Sequence, residues 1–246
     1  MPNVSFKPRK NSIKTCVVYL SGLHGHAVGH PFGDAVEKYY GDRNISTLLI
    51  DYPCHGDDID NFANFTITEA VEFVVSEINK ALEHEDVEDI AFIGGSFAAW
   101  VALLAAIRLP KFTVSNMVFM DPMVGFIGPI WNNLSKEEQG FVRENGWTQA
   151  SGSDVFHVHM PMIEDAMRPR NSLFFPDNVE EMGEHLWQMK VISTAYLESN
   201  KAYGILRELG EYRDITKLAF NSAKVSTTLT GKKLENYVLE QLNYML

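Results

Sequence analysis

The chain has 246 residues, 46% hydrophobic and 22% charged, with a formal net charge of −11 at pH 7. That is enough apolar content for one α/β domain with a sizeable core, and the acidic balance argues against a nucleic-acid partner, because phosphate binding needs a basic face. Two cysteines, Cys16 and Cys54, make no disulfide framework; no apolar run reaches the roughly 18 residues of a membrane span; MPNVSFKPRKNSIK lacks the apolar stretch of a signal peptide. A cytoplasmic chain without membrane contact is expected.

In chain order, TCVVYLSG (15–22) is β-branched, apolar and closed by glycine, the pattern of a buried strand. PFGDAVEKYY (31–40) opens on proline and puts Phe32 and Val36 on one face, which predicts a helix. STLLIDYP (46–53) is the second strand. A helix follows over 66–84, with Thr66 and Glu69 as a capping box and Ile67, Val71, Val74, Ile78 and Leu82 as its apolar stripe. DIAFIG (89–94) is a strand, 97–108 a helix and NMVFMD (116–121) a strand. This alternation implies a parallel sheet with right-handed crossovers and helices on both faces.

The alternation stops at 122, apart from a helix at 135–145 capped by Ser135 and Glu138, and resumes with strands at 190–197 and 215–220, a helix between them at 202–209, and an amphipathic helix at 232–246. The expected organisation is therefore a core of 1–121 and 190–246, six strands in all, interrupted by an inserted lid over 122–189.

IGGSFAAW (93–100) raises the question of function. Gly94-x-Ser96-x-Ala98 lies between a strand and a helix, where small residues permit a turn sharp enough to lift a serine out of the sheet. The helix N-terminus beneath it favours developing negative charge. YLSGLHGHAVG follows the first strand and LIDYPCHGDD the second. With these three motifs in this order, the chain resembles the α/β-hydrolase superfamily over nearly its whole length. His24-Gly25 matches the family's His-Gly, and Asp51 to Asp57 its Asp-x-x-Gly-His-Gly turn, with Cys54 in place of a glycine.

The resemblance implies an α/β-hydrolase fold, a mostly parallel six-stranded sheet, and a serine hydrolase mechanism. Ser96 is then the nucleophile. The oxyanion hole comes from the N–H groups of Phe97 and His26, with Gly25 allowing close approach. His24 and His55 are read as supports of the neighbouring loops. The acid is Glu198, after the expected seventh strand of the family, or Asp121, after its sixth.

The base is where the chain departs from the family. The family carries histidine before its final helix, but 218–235 reads LAFNSAKVSTTLTGKKLE, and the last histidine of the chain is His185. The candidates are His159 or His157, which share a face if FHVHM is a strand, and Lys224, which needs a lowered pKa to serve. The His-x-His pair lacks Asp, Glu or Cys at metal-binding spacing, so no metal or other cofactor is expected. Trp131, Phe156 and Met160 are the candidate pocket residues of an aromatic- and Met-rich insertion, suited to an apolar ester or thioester. Arg168 and Arg170 are open between a ligand carboxylate or phosphate and the surface. The alternative to hydrolysis is a degenerate homologue that binds a small apolar ligand or a protein partner.

Overall fold

The computed structural model describes residues 2–10, 13–149, 157–173, 176–184, 188–193, 223–224 and 232–246. Its sheet has seven strands in the order β1-β3-β2-β4-β5-β8-β9. These are β1 (Val4–Lys7), β2 (Thr15–Leu20), β3 (Ser46–Ile50), β4 (Asp89–Gly95), β5 (Val114–Met120), β8 (Gln188–Ser193) and β9 (Ala223–Lys224). Six are parallel. The seventh, β1, runs antiparallel along the edge of β3, pairing Val4 with Ile50 and Lys7 with Thr47. Its residues are exposed or half-buried, so no buried alternation marks VSFK as a strand. The segments expected as a helix at 202–209 and a strand at 215–220 lie outside the described residues.

The central strands are buried because helices cover both faces. α2 (Ile67–Leu82) and α3 (Ala98–Ala106) pack on one side, while α1 (Pro31–Gly41) and the C-terminal helix (Lys232–Asn243) pack on the other. Every residue of α3 is buried, as an all-apolar helix requires. α2 carries the expected stripe, and its Thr66 side chain accepts from the Glu69 N–H. The Tyr40 hydroxyl donates to the Leu239 carbonyl at 2.8 Å, tying α1 to the C-terminal helix.

Between β5 and β8 the chain builds α4 (Ile127–Asn133), α5 (Lys136–Asn145), a hairpin of β6 (Trp147–Gln149) and β7 (His157–His159), α6 (Met160–Ala166) and α7 (Pro176–Glu184). The Ser135–Glu138 capping box at the start of α5 is complete. A buried polar knot joins this segment to the core. The Asp165 carboxylate accepts from the Thr68 N–H at 2.7 Å and hydroxyl at 2.8 Å, and from the Asn171 amide at 3.0 Å. Asp165 thus satisfies a free N–H in the first turn of α2. Arg168 and Arg170 have intramolecular partners, Asp165 at 3.3 Å for the first, Glu72 at 3.7 Å and the Thr68 hydroxyl at 3.0 Å for the second.

Candidate active site

β4 ends at Gly94 and Gly95, and Ser96 follows with φ of +55° before α3 begins. The turn leaves no room for larger residues: a Cβ on Gly94 would stand 2.7 Å from the Ala98 Cβ and 2.9 Å from the Leu20 carbonyl oxygen. Backbone bonds pin the serine from both sides. Its N–H donates to the Met120 carbonyl at 3.0 Å, and its carbonyl accepts from the Met123 N–H at 2.9 Å. Ser96 is half-buried, while Phe97, next in the chain, is fully buried.

The loop after β2 meets this turn at Gly22, whose Cβ position lies 3.5 Å from the Ser96 Cβ and 4.0 Å from its Oγ. Gly25 packs on Ser21 and Gly22 instead, and its N–H is already donated to the Gly22 carbonyl at 3.0 Å. His26 is exposed, with its ring centroid 5.0 Å from that of His30. The glycine beside Ser96 is therefore Gly22 rather than Gly25, because the loop folds back on itself between them. Gly22 is legible as the residue that ends the first strand, and the His-Gly pattern lies three residues beyond it.

A second loop supports the first. Buried Asp51 accepts from the N–H groups of Ala27 and Val28, and Gly56, at φ of +59°, leaves space for its carboxylate. His55 is buried among Tyr52, Phe62 and Phe65, and burial lowers its pKa to about 4. The His24 ring lies 3.8 Å from Phe62, centroid to centroid, and hydrogen-bonds the main chain of His157; burial lowers its pKa as well. These contacts fit the supporting role expected of His24 and His55.

The hydrogen bond from His24 joins the hairpin to the loop after β2. β6 and β7 pair Trp147 with His159 and Gln149 with His157. The two histidine rings are 6.5 Å apart, with Val158 buried between them in sequence. His159 lies 5.9 Å from Phe62, and its pKa is lowered first by burial, then by His157 and His24. Both histidines thus converge with His24 two residues from Gly22.

Asp121 follows β5 directly beside the turn, its N–H bound to the Ile192 carbonyl at 2.8 Å. The main chain of Lys224 is in β9, three strands from β4. Glu198 and Phe156 lie outside the described residues. Trp131 and Met160 are half-buried, the former under the Arg143 guanidinium at 5.0 Å, and neither lines the cavity beside Trp100. That cavity is lined instead by Trp100, Gly125, Gly128 and residues of 166–173. Among the described residues no group of three or more His, Cys, Asp or Glu could hold a metal ion, and no helix is long and apolar enough to cross a membrane.

No curated protein matches the chain. Solved structures match its fold throughout. A putative hydrolase from Agrobacterium vitis S4 is 16% identical with a TM-score of 0.73, covering 99% of this chain and 92% of its own. The alpha/beta hydrolase domain-containing protein 10 from mouse is 14% identical with a TM-score of 0.71, covering 100% and 94%. Est1E from Butyrivibrio proteoclasticus, solved with ferulic acid bound, is 15% identical with a TM-score of 0.66, covering 99% and 95%. The model of the alpha/beta hydrolase family matches residues 17–219, from β2 past β8 and through the serine turn, and the chain belongs to that family.

Proposed function

We propose that the protein is a serine hydrolase acting on a carboxylic ester or thioester with an apolar acyl group, and that the inserted segment 122–189 caps its site. The observation that carries this reading is the backbone of Ser96. Its φ of +55° costs a non-glycine residue about 1–2 kcal/mol, yet serine stands there, between two crowded glycines and a helix. In the reaction, Ser96 Oγ bonds to the acyl carbon while a base takes its proton. The base passes that proton to the departing alcohol or thiol, and water then releases the acid and frees Ser96.

The oxyanion is held by the N–H of Phe97, at the start of α3, and by the N–H of Leu23. Leu23 serves here rather than His26, because its neighbour Gly22 is the residue against Ser96. We assign the base to the hairpin, to His159 or His157. Their convergence on His24 supports this, as does the lowered pKa of His159, which leaves it neutral at pH 7. Asp121, the residue that follows β5, is our choice of acid among the described residues.

A fluorophosphonate probe tests the reading. It should label the protein and fail on Ser96→Ala. Replacing the working hairpin histidine by glutamine should slow turnover about 10²–10⁴-fold. Should both hairpin variants keep full activity while Lys224→Met loses it, the base is Lys224. A protein that resists labelling from about pH 6 to pH 10, yet is thermally stabilised by a lipophilic carboxylate, is a binding protein instead.

A further inference from the structure

The inserted segment and α3 enclose a cavity of about 250 Å³, lined by Trp100, Gly125, Gly128, Ala166, Met167 and Leu173, with Asn171 and Ser172 completing its wall. Its position relates it to the nucleophile. Trp100 is four residues beyond Ser96, about one 5.4 Å turn of helix. Gly125 is two residues beyond Met123, whose N–H holds the Ser96 carbonyl at 2.9 Å.

The wall is mostly apolar, and the side-chain polar groups of Trp100 and Asn171 are committed elsewhere. The Trp100 indole N–H donates to the Asn171 carbonyl at 3.0 Å, which fixes the ring. The Asn171 amide nitrogen donates to Thr68 and Asp165, and its amide oxygen accepts from Arg108. The space itself comes from missing side chains. A Cβ at Gly125 would meet nothing within 4 Å, and one at Gly128 would meet only the Met167 sulfur, at 3.8 Å. Met167 is half exposed, so a flexible thioether forms the outer wall.

Size decides what such a space can take. A dry cavity of about 150 Å³ holds benzene, so about 250 Å³ holds about ten carbon atoms. It is smaller than the roughly 300–1,000 Å³ of a site that encloses a whole ligand. We propose that this cavity receives the acyl group of the ester or thioester cleaved at Ser96, and that it selects compact acyl groups of up to about ten carbons. The inference rests on the reading of Ser96 as nucleophile.

Nitrophenyl esters with acyl chains from about two to about sixteen carbons test it, alongside fluorophosphonate labelling of the same proteins. In the wild type, kcat/KM should rise to about ten carbons and then fall about tenfold or more per added methylene. Gly128→Leu fills the cavity and should move the optimum to shorter chains. Met167→Ala opens the outer wall and should move it to longer ones. Should Gly128→Leu fail to fold, the shift in Met167→Ala alone decides, because that side chain is half exposed. Proteins that label at Ser96 but keep one chain-length profile overturn the cavity assignment and leave the nucleophile standing. A wild type that does not label overturns both.

Discussion

At Ser96 a local conformation and a chemical role point in opposite directions. A left-handed backbone favours glycine, and the preceding residues of the turn are glycine, yet position 96 carries a hydroxyl. The strain is therefore removable. Ser96→Gly should be more stable than Ser96→Ala by about 1 kcal/mol, with neither variant labelled by fluorophosphonate. Denaturant midpoints measure the difference, and equal midpoints would show that the turn stores no strain at this residue. The serine was legible in the sequence because its signals are contiguous: an apolar strand, two glycines and a small-residue helix. Gly22 was not, because SGLHG offers two glycines and only the folded loop, with the Gly25 N–H bound to the Gly22 carbonyl, decides which one lies against Ser96.

Among the elements, the β6–β7 hairpin is held by imidazole rings. The alternation of HVH correctly places His157 and His159 on one face, but it does not name the surface that face meets. That surface is His24 and Phe62, supplied by residues about a hundred positions away. His24, His55 and His159 all have pKa values lowered chiefly by burial, so the unfolded chain takes up protons before the folded one. Their contribution to stability is complete above about pH 6.5 and is lost as the pH falls toward the folded values. For His55, buried and lowered to about 4, the loss amounts to about 3 kcal/mol. Between pH 7 and pH 4 the wild type should lose more stability than His55→Phe, which keeps a ring in the same aromatic nest and cannot titrate. Parallel acid profiles of the two proteins would contradict this.

For the whole molecule, the relation of the inserted segment to the core rests on Asp165. This carboxylate is 1% exposed and accepts bonds from Thr68 at the start of α2 and from Asn171 and Arg168 in its own segment. Asp165→Ala leaves the Thr68 and Asn171 donors buried without their acceptor and should cost about 3 kcal/mol or more. The same variant should be cleaved faster by protease within 122–184 than the wild type. Unchanged stability and cleavage would show that apolar packing alone seats the segment. The arginines at 168 and 170 belong to this anchorage; MRPRN does not reveal it for Arg170, because its partners Glu72 and Thr68 lie in α2.

By itself the sequence determined the alternating strands and helices up to β5, the caps at Thr66 and Ser135 and the serine turn, since each depends on neighbours within a few residues. It also determined that no histidine stands between 218 and 235, where the family resemblance calls for one. Only the tertiary structure decided which loop glycine touches Ser96, where the hairpin histidines converge, and that the cavity lies against Trp100 rather than Trp131. These outcomes follow from contacts between segments distant in the chain. Pattern and propensity act along the chain and carry no information about which of two similar residues the fold will bring together.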